Sequence, residues 1–230
     1  MVSGRALVVG STAGIGLALS KQLLAEDWRV VGISKSAAAI TAPGYEHALV
    51  DVSAVEYPHV LGSLLASHGP FDVCVYCAGI GEQFDATDLS AEPATFRVNL
   101  LGAVETSSQV LGSMLAAGRG HFLALSSLGD GISAVAPSYA ASKAGLSSYL
   151  AGLALALSSR GVHVTNVRFG FVATKMAKSA WRPFMMTPER AADLVVTCLK
   201  KRPARFSYPK QMALLTLLMS WASLVRLWFA

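Results

Sequence analysis

The stretch VVGSTAGIG (8–16) joins two segments of different character. It closes the apolar run ALVVG (6–10), and it opens GLALSKQLLAEDW (16–28), whose apolar residues recur with helical spacing. A short apolar run ended by glycine is typical of a buried strand, and glycine permits the tight turn that a helix directly after a strand requires. The stretch therefore predicts a strand–turn–helix unit at the start of the chain.

Outward from this unit, apolar runs and helical segments alternate along the chain. The further predicted strands are 29–34, 47–52, 71–79, 121–127 and 162–170, with a short last one in RFSYP (205–209). The predicted helices between them are 54–69, 91–117, 138–159 and 187–201. Continuous apolar strands alternating with helices indicate a parallel sheet covered on both faces. We expect an α/β fold: a Rossmann-like, doubly wound parallel sheet in a single domain (1–208), followed by an apolar C-terminal helix (209–230).

The glycine-rich turn has the position and composition of a phosphate-binding loop. A helix that begins directly after it offers unpaired N–H groups and the positive end of its dipole to an anion. Glycines in a tight turn alone would be a weak signal, but here they lie between a strand and a helix. The loop residues that we expect to contact a dinucleotide are Gly10, Thr12, Gly14, Ile15 and Gly16.

The ends of the second and third predicted strands indicate which dinucleotide binds. The second strand ends in Ser34 and Lys35, where a carboxylate would bind a ribose 2′-hydroxyl and repel a 2′-phosphate. A hydroxyl and a cation instead favour NADP(H), with NAD(H) as the alternative; Lys35 would otherwise be an ordinary exposed lysine. Asp51 and Val52, which end the third strand, are expected to meet the adenine.

The segment SYAASKAG (138–145) places Tyr139 and Lys143 one helical turn apart among small residues. On a helix, side chains at this spacing share a face. A tyrosine, with an ordinary pKa of about 10, becomes a better acid or base when an ammonium group lies nearby. Such a pair can exchange a proton with a carbonyl or alcohol oxygen, and the small neighbours leave room for ligands or for close helix packing.

These features form an ordered set. It comprises the glycine loop, CAG (77–79), Asn99 in VNLLG, Ser126 in SSLG, Tyr139 with Lys143, and GFVATKM (170–176). In this order and spacing the chain resembles the short-chain dehydrogenase/reductase family over residues 4–208. It departs from the family pattern at Cys77, which replaces an asparagine, and at Phe169, which replaces a proline.

The resemblance implies a role for each matched residue. Tyr139 would be the general acid/base, and Lys143 would bind the nicotinamide ribose and lower the pKa of the tyrosine. Ser126, chosen over the adjacent Ser127 because it lies three residues before Gly129, would orient the substrate oxygen. Asn99 would hold a water molecule in a proton relay. The further cofactor contacts implied are Ala78, Gly79, Val172 and Thr174.

The implied activity is the interconversion of a carbonyl and a secondary alcohol, as an NADPH-dependent reductase in the cell. The segment between Thr174 and Thr187 carries apolar residues that suggest a lipophilic substrate: Met176, Trp181, Phe184, Met185 and Met186. A basic surface would also suit a carrier-bound or phosphorylated acyl substrate. The alternative is a catalytically silent nucleotide sensor or membrane scaffold on the same fold.

Charge is divided unevenly along the 230 residues, and this bears on partners. The first 115 residues have a net charge of −6, and the remainder has +11. Nucleic acid is not an expected partner, because no aromatic residues interleave with the basic ones in a known binding pattern. We expect a homodimer or homotetramer. The apolar segment in 209–230 would pack on the core, on a second subunit, or on a membrane surface.

Cysteine usage indicates a reducing compartment. Cys74 and Cys77 are three apart on a predicted strand and therefore point to opposite faces, which argues against a disulfide. No second pair completes a metal site, so no metal is expected. The N-terminus begins a strand within a few residues, without a secretory signal pattern. We expect a cytoplasmic protein, with membrane association through 209–230 as the alternative.

Overall fold

The computed structural model describes residues 4–176 and 182–228. Its centre is one seven-stranded sheet in which every pair of neighbouring strands is parallel. The strands are β1 (Arg5–Val9), β2 (Arg29–Ser34), β3 (Tyr45–Leu49), β4 (Val73–Tyr76), β5 (Gly120–Ser127), β6 (Val162–Phe169) and β7 (Arg205–Tyr208).

Helices connect the strands and cover both faces of the sheet. They are α1 (Gly14–Ala25), α2 (Tyr57–His68), α3 (Ala91–Phe96), α4 (Gly102–Ala116), α5 (Pro137–Ala156), α6 (Pro188–Lys201) and α7 (Lys210–Trp228), with a π-helical segment, Arg97–Leu101, between α3 and α4. One apolar core lies between the sheet and the helices α1 and α6, and a second lies between the sheet and the helices α2, α4 and α5.

The strand order is β3-β2-β1-β4-β5-β6-β7. The chain winds outward from β1 in one direction and then returns to wind outward from β4 in the other. The expected doubly wound, Rossmann-like sheet is therefore confirmed. In open sheets of this kind ligands bind beyond the carboxyl ends of the strands where the winding direction changes, which here is between β1 and β4.

Two element boundaries differ from the sequence-based expectation. The third strand begins and ends earlier than predicted, at Tyr45–Leu49 rather than 47–52. The long helix predicted over 91–117 is interrupted by the π-helical turn at Arg97–Leu101. Single π-helical turns of this kind are often found at functional sites.

Helix α7 starts at the carboxyl end of β7. The first turn of α7 packs against Gly170, the residue that follows β6, since a methyl group added at Gly170 would lie 2.6 Å from the Met212 sulfur. Leu214, Leu218 and Met219 are each about 60% exposed. No helix among the described residues is both long and apolar enough to cross a membrane. A partner for the exposed side of α7 stays a prediction.

Candidate active site

The glycine loop forms a cradle of backbone atoms between β1 and α1. Gly10 has a φ of 88°, and its N–H donates to the Ile33 carbonyl at 2.7 Å. A methyl group at Gly16 would lie 2.0 Å from the Gly10 carbonyl oxygen, so only glycine lets the chain fold back this tightly. The N-cap residue Ala13 gives α1 no side-chain hydrogen bond. The first N–H groups of α1 are therefore left for an anion, and the cradle fits the pyrophosphate of a dinucleotide.

Ser34, Lys35 and Asp51 lie at the end of the sheet beside this cradle. The hydroxyls of Thr12 and Ser34 share a hydrogen bond of 2.7 Å, and Lys35 is exposed. Asp51 accepts hydrogen bonds from the backbone and the hydroxyl of Ser53, at 2.9 and 2.7 Å. Burial opposes ionisation of Asp51, but these bonds and the nearby Lys35 hold its pKa below the ordinary value. The carboxylate of Asp51 is thus hydrogen-bonded within its own turn, and the exposed charge in this region is the ammonium group of Lys35.

Asn99 lies at the π-helical turn and fastens the segment after β4. Its amide nitrogen donates to the Ile80 carbonyl and its amide oxygen accepts from the Ile80 N–H, both at 2.8 Å. The same nitrogen donates to the Ser142 hydroxyl at 3.1 Å. Gly79 is adjacent, since a methyl group there would lie 3.3 Å from Asn99 Oδ1 and 3.4 Å from Lys143 Nζ. Asn99 therefore ties Gly79 and Ile80 to α5.

Tyr139 and Lys143 share a face of α5, as their spacing predicted. Lys143 is 4% exposed, its ammonium donates to the Leu125 carbonyl at 2.9 Å, and Nζ lies 5.9 Å from the centre of the Tyr139 ring. Burial lowers the pKa of Lys143 to about 8. Lys143 is thereby anchored to β5 directly beneath the phenol.

The serine beside Tyr139 is Ser127. Its hydroxyl lies near enough to the phenol of Tyr139 to lower the pKa of that group, and it accepts the N–H of Gly129 at 2.9 Å. Ser126 instead donates to Asn166 Oδ1 at 2.6 Å and is 3.1 Å from the Ser147 hydroxyl. The structure thus does not bring Ser126 to the phenol, because successive residues of β5 point to opposite sides.

The electrostatics of Tyr139 differ from the expectation that Lys143 lowers its pKa. Burial raises the pKa of Tyr139, the hydrogen bond from Ser127 lowers it, and the charge of Asp130 raises it further. The net shift is upward because desolvation of a phenolate outweighs the single hydrogen bond. The phenol is therefore protonated at neutral pH.

The segment after β6 closes over the glycine loop. Val172 is buried and forms a parallel bridge with Met186, and the Ala173 N–H donates to the Met186 carbonyl at 2.9 Å. A methyl group at Gly14 would lie 2.9 Å from Thr174 Cγ2. Thr174 therefore reaches the start of α1. Ala78 lies on another side of the same loop, where its backbone nitrogen would be 2.7 Å from a methyl group at Gly10.

Exposed apolar side chains lie on the loops that follow β4, β5 and β6. The Phe84 N–H donates to the Val135 carbonyl at 2.8 Å, which joins the first two of these loops. Trp181 lies outside the described residues. The exposed apolar residues on these loops, with their exposed fractions, are Phe84 (46%), Ile132 (52%), Val135 (63%), Phe184 (60%) and Met185 (47%).

Comparison with known protein families and curated sequences identifies similar proteins across most of the chain. The family model described as short chain dehydrogenase matches residues 5–183. An uncharacterized oxidoreductase of Myxococcus xanthus is 30% identical, covering 92% of this chain and 89% of the relative. A putative ketoacyl reductase of Streptomyces coelicolor is 33% identical (76% and 72% covered), and a fatty acyl-CoA reductase of Acinetobacter baylyi is 28% identical (88% and 75%).

Solved structures share the fold at lower sequence identity. A 4-hydroxyisoleucine dehydrogenase complexed with NADH superposes with a TM-score of 0.79 at 18% identity, covering 89% of this chain and 96% of the other. ElxO with NADP bound superposes with a TM-score of 0.77 at 17% identity, covering 90% and 97%. The same architecture thus accommodates either dinucleotide in these two proteins.

Proposed function

Since the chain belongs to the short-chain dehydrogenase family and is an NAD(P)-dependent oxidoreductase, we propose that it uses NADPH to reduce the carbonyl group of a lipophilic or acyl substrate. The observation that carries the proposal is the arrangement of Ser127, Tyr139 and Lys143 around the carboxyl end of β5. When bound, the cofactor supplies the hydride; the residues of the chain bind, orient and move the proton.

The proton donor in this scheme is the phenol of Tyr139. Because burial keeps it protonated at neutral pH, it can donate to a carbonyl oxygen as negative charge develops there. Ser127 is placed to hydrogen-bond the same oxygen, which would fix its direction. This assigns the serine role to Ser127 and replaces the sequence-based assignment to Ser126.

Lys143 and Asn99 support the phenol rather than contact the substrate oxygen. Lys143 is held by the Leu125 carbonyl and lies close to Gly79, and the resemblance implies that Lys143 binds the nicotinamide ribose. Asn99 uses its side chain to hold Ile80 and Ser142, so we assign it a positioning role. A water held by Asn99, as the resemblance implies, stays part of the proposal.

The groups at the carboxyl end of β2 favour NADPH over NADH. An exposed ammonium at Lys35 and the hydroxyl of Ser34 can bind a 2′-phosphate, whereas the nearest carboxylate, Asp51, is bonded to Ser53. A carboxylate at the end of β2, which would favour NADH, is replaced by these groups. Charge-assisted hydrogen bonds to phosphate are among the stronger polar contacts.

The exposed apolar loops and the names of two relatives support a lipophilic or acyl substrate. Exposed phenylalanine and aliphatic side chains on three neighbouring loops favour a substrate with an extended apolar part. The names of two relatives, a ketoacyl reductase and a fatty acyl-CoA reductase, describe carbonyl groups attached to acyl chains. A silent nucleotide sensor would need none of the groups assembled around Tyr139.

A screen of carbonyl compounds tests the proposal. Medium- and long-chain aldehydes, aliphatic ketones and β-ketoacyl thioesters would be compared with sugars of similar carbonyl reactivity, and the alcohol product would be identified by mass spectrometry. We expect oxidation of NADPH faster than NADH, and turnover that increases with chain length. Binding of NADPH without turnover of any compound would favour the silent alternative, and faster turnover of the sugars would refute the substrate class.

A further inference from the structure

A buried ion pair lies behind the turn that carries Ser127. Asp130 accepts from Nε of Arg168 at 2.9 Å through one carboxylate oxygen, and from Nη2 through the other. Both side chains are only 12% exposed. Two parallel hydrogen bonds of this kind fix the direction of the carboxylate as well as its distance. The pair therefore joins the loop after β5 rigidly to strand β6.

Other polar side chains extend the pair to helix α5. The Ser147 hydroxyl donates to Asp130 Oδ2 at 2.9 Å and lies 3.1 Å from the Ser126 hydroxyl. Ser126 in turn donates to Asn166 Oδ1 at 2.6 Å on β6. Ser147 is one helical turn beyond Lys143 on α5. The network thus connects the two strands and the helix that build the candidate site.

The turn between Ser127 and Asp130 is held against Tyr139. The Leu128 N–H donates to the Phe169 carbonyl at 2.9 Å, and the Gly129 N–H donates to Ser127 Oγ. A methyl group at Gly129 would lie 3.9 Å from Cε1 of Tyr139. The carboxylate of Asp130 is therefore one residue beyond the backbone that packs on the phenol ring.

We propose that the Asp130–Arg168 ion pair is a positioning device, which fixes the Ser127–Gly129 turn against Tyr139 and balances the charge beside the phenol. The inference rests on the proposed function of Tyr139 and deepens it. Arg168 and Asp130 touch neither substrate nor cofactor in this scheme. They act on the reaction through Ser127 and Tyr139.

The charges around Tyr139 make the proposal specific. Lys143 approaches Tyr139 from the same helix, beside the neutral thiol of Cys77, and Asp130 approaches from the loop with Arg168 behind it. The charge of Asp130 raises the pKa of Tyr139, and Arg168, which is paired with Asp130, opposes this charge. Removing Arg168 leaves an anion beside the phenol, whereas removing the charge of Asp130 leaves a cation behind it.

The test is a charge cycle with the variants Arg168→Gln, Asp130→Asn and the double variant. In the direction of alcohol oxidation, the rate rises with pH as the phenol ionises. We expect Arg168→Gln to move this rise to higher pH and Asp130→Asn to move it to lower pH, each by roughly one unit, the low end of what a neighbouring charge produces. In the double variant, the pH dependence of the rate should be close to that of the wild type. Arg190→Gln, which breaks an exposed pair with Asp193, is the matched control and should not move the profile.

A second measurement does not depend on turnover. Ionisation of Tyr139 is followed by near-ultraviolet difference absorbance, with the same variant carrying Tyr139→Phe as the blank, over the pH range in which circular dichroism shows the protein folded. Opposite displacements in the two single variants support the proposal even if no carbonyl substrate is found. The proposal is overturned if both single variants shift the ionisation of Tyr139 in the same direction, or if both lose rate equally without any shift in its pH dependence. If the wild-type enzyme turns over no carbonyl compound while the two single variants still shift the ionisation of Tyr139 in opposite directions, the proposed function alone is contradicted.

Discussion

Two regions at the carboxyl edge of the sheet, one beside β1 and one beside β5 and β6, form the candidate site in different ways. Beside β1, the cofactor cradle is made of backbone, with Gly10 and Gly16 so close that a methyl group on one would collide with the carbonyl of the other. Beside β5 and β6, the groups proposed to be catalytic are surrounded by side chains that are largely buried, among them Lys143, Asp130 and Arg168. The first region is specified by shape, and the second by a network of polar partners.

Substitutions in the two regions should therefore have different effects on cofactor binding and on catalysis. A change of shape at the cradle should weaken binding of the cofactor and leave the chemistry of any bound complex intact. A change of partner at β5 should alter the rate or the pH dependence and leave cofactor binding intact. The following predictions test that separation, in order of decreasing expected effect.

The largest effect is expected at Ser127. Ser127→Ala removes the hydroxyl beside Tyr139, which is the proposed donor to the substrate oxygen, and should lower kcat by about 100-fold, as loss of such a donor typically does. NADPH affinity should be unchanged. Ser126→Ala is the neighbouring control and should lower kcat far less, because Ser126 is bonded to Asn166. Steady-state kinetics decide between them, and the reverse ranking would restore Ser126 as the catalytic serine.

A buried ammonium gives the region beside β5 and β6 a pH-dependent stability. The pKa of Lys143 is about 8 in the folded chain and 10.5 ordinarily, so between these values the unfolded state binds more protons and stability rises with pH. The contribution across this window is about 3 kcal/mol. Urea unfolding of the wild type and of Lys143→Met should therefore diverge between pH 8 and 10.5, with the wild type gaining stability relative to the variant. Parallel curves would mean that Lys143 is not desolvated.

A substitution in the glycine cradle should weaken cofactor binding rather than slow the chemical step. Gly16→Ala places a methyl group 2.0 Å from the Gly10 carbonyl, so the loop must shift and the Kd for NADPH should rise by more than about tenfold, equivalent to about 1.4 kcal/mol. Gly112→Ala, in helix α4, has no atom within 4 Å of the new methyl group and is the matched control. Fluorescence titration measures both. An unchanged Kd in Gly16→Ala would show that the cradle does not bind the pyrophosphate.

The smallest effect is expected at the adenosine end. Lys35→Ala removes one exposed charged contact and should weaken NADPH binding by about tenfold, the low end of the roughly 1.5–3 kcal/mol that a hydrogen bond to a charged group contributes. NADH affinity should hardly change. Lys21→Ala removes an equal charge from α1 and serves as control. Equal losses for both cofactors, or no preference in the wild type, would refute the assignment of the 2′-phosphate to Lys35.

Much of this molecule follows from sequence patterns, and the remainder has identifiable physical causes. The alternation of apolar runs and helices predicts the doubly wound sheet, because the period and length of each run are local properties. The spacing of Tyr139 and Lys143 predicts their shared face for the same reason. The π-helical turn at Asn99 could not be foreseen, since it depends on the partners Ile80 and Ser142 supplied by other elements.

The proposed change of the catalytic serine from Ser126 to Ser127 has an equally physical reason. Spacing to Gly129 selects Ser126, but the direction of a side chain at the end of a strand depends on register and on the turn that follows. Ser127 accepts the N–H of Gly129 two residues later, and a serine two residues before a glycine is a local signal of such a turn. The desolvation that raises the pKa of Tyr139 likewise arises from tertiary packing.

The proposed carbonyl reduction depends most directly on Tyr139 as the proton donor. The decisive measurement is the single-turnover rate of hydride transfer from NADPH to a carbonyl substrate identified in the screen, for the wild type, Tyr139→Phe and Tyr149→Phe. Tyr149 lies on the same helix and bonds Ser107 instead. Tyr139→Phe should bind NADPH normally and transfer hydride at least about 100-fold more slowly, the lower end of general acid catalysis, while Tyr149→Phe keeps the wild-type rate. Equal rates in the wild type and Tyr139→Phe would contradict the account.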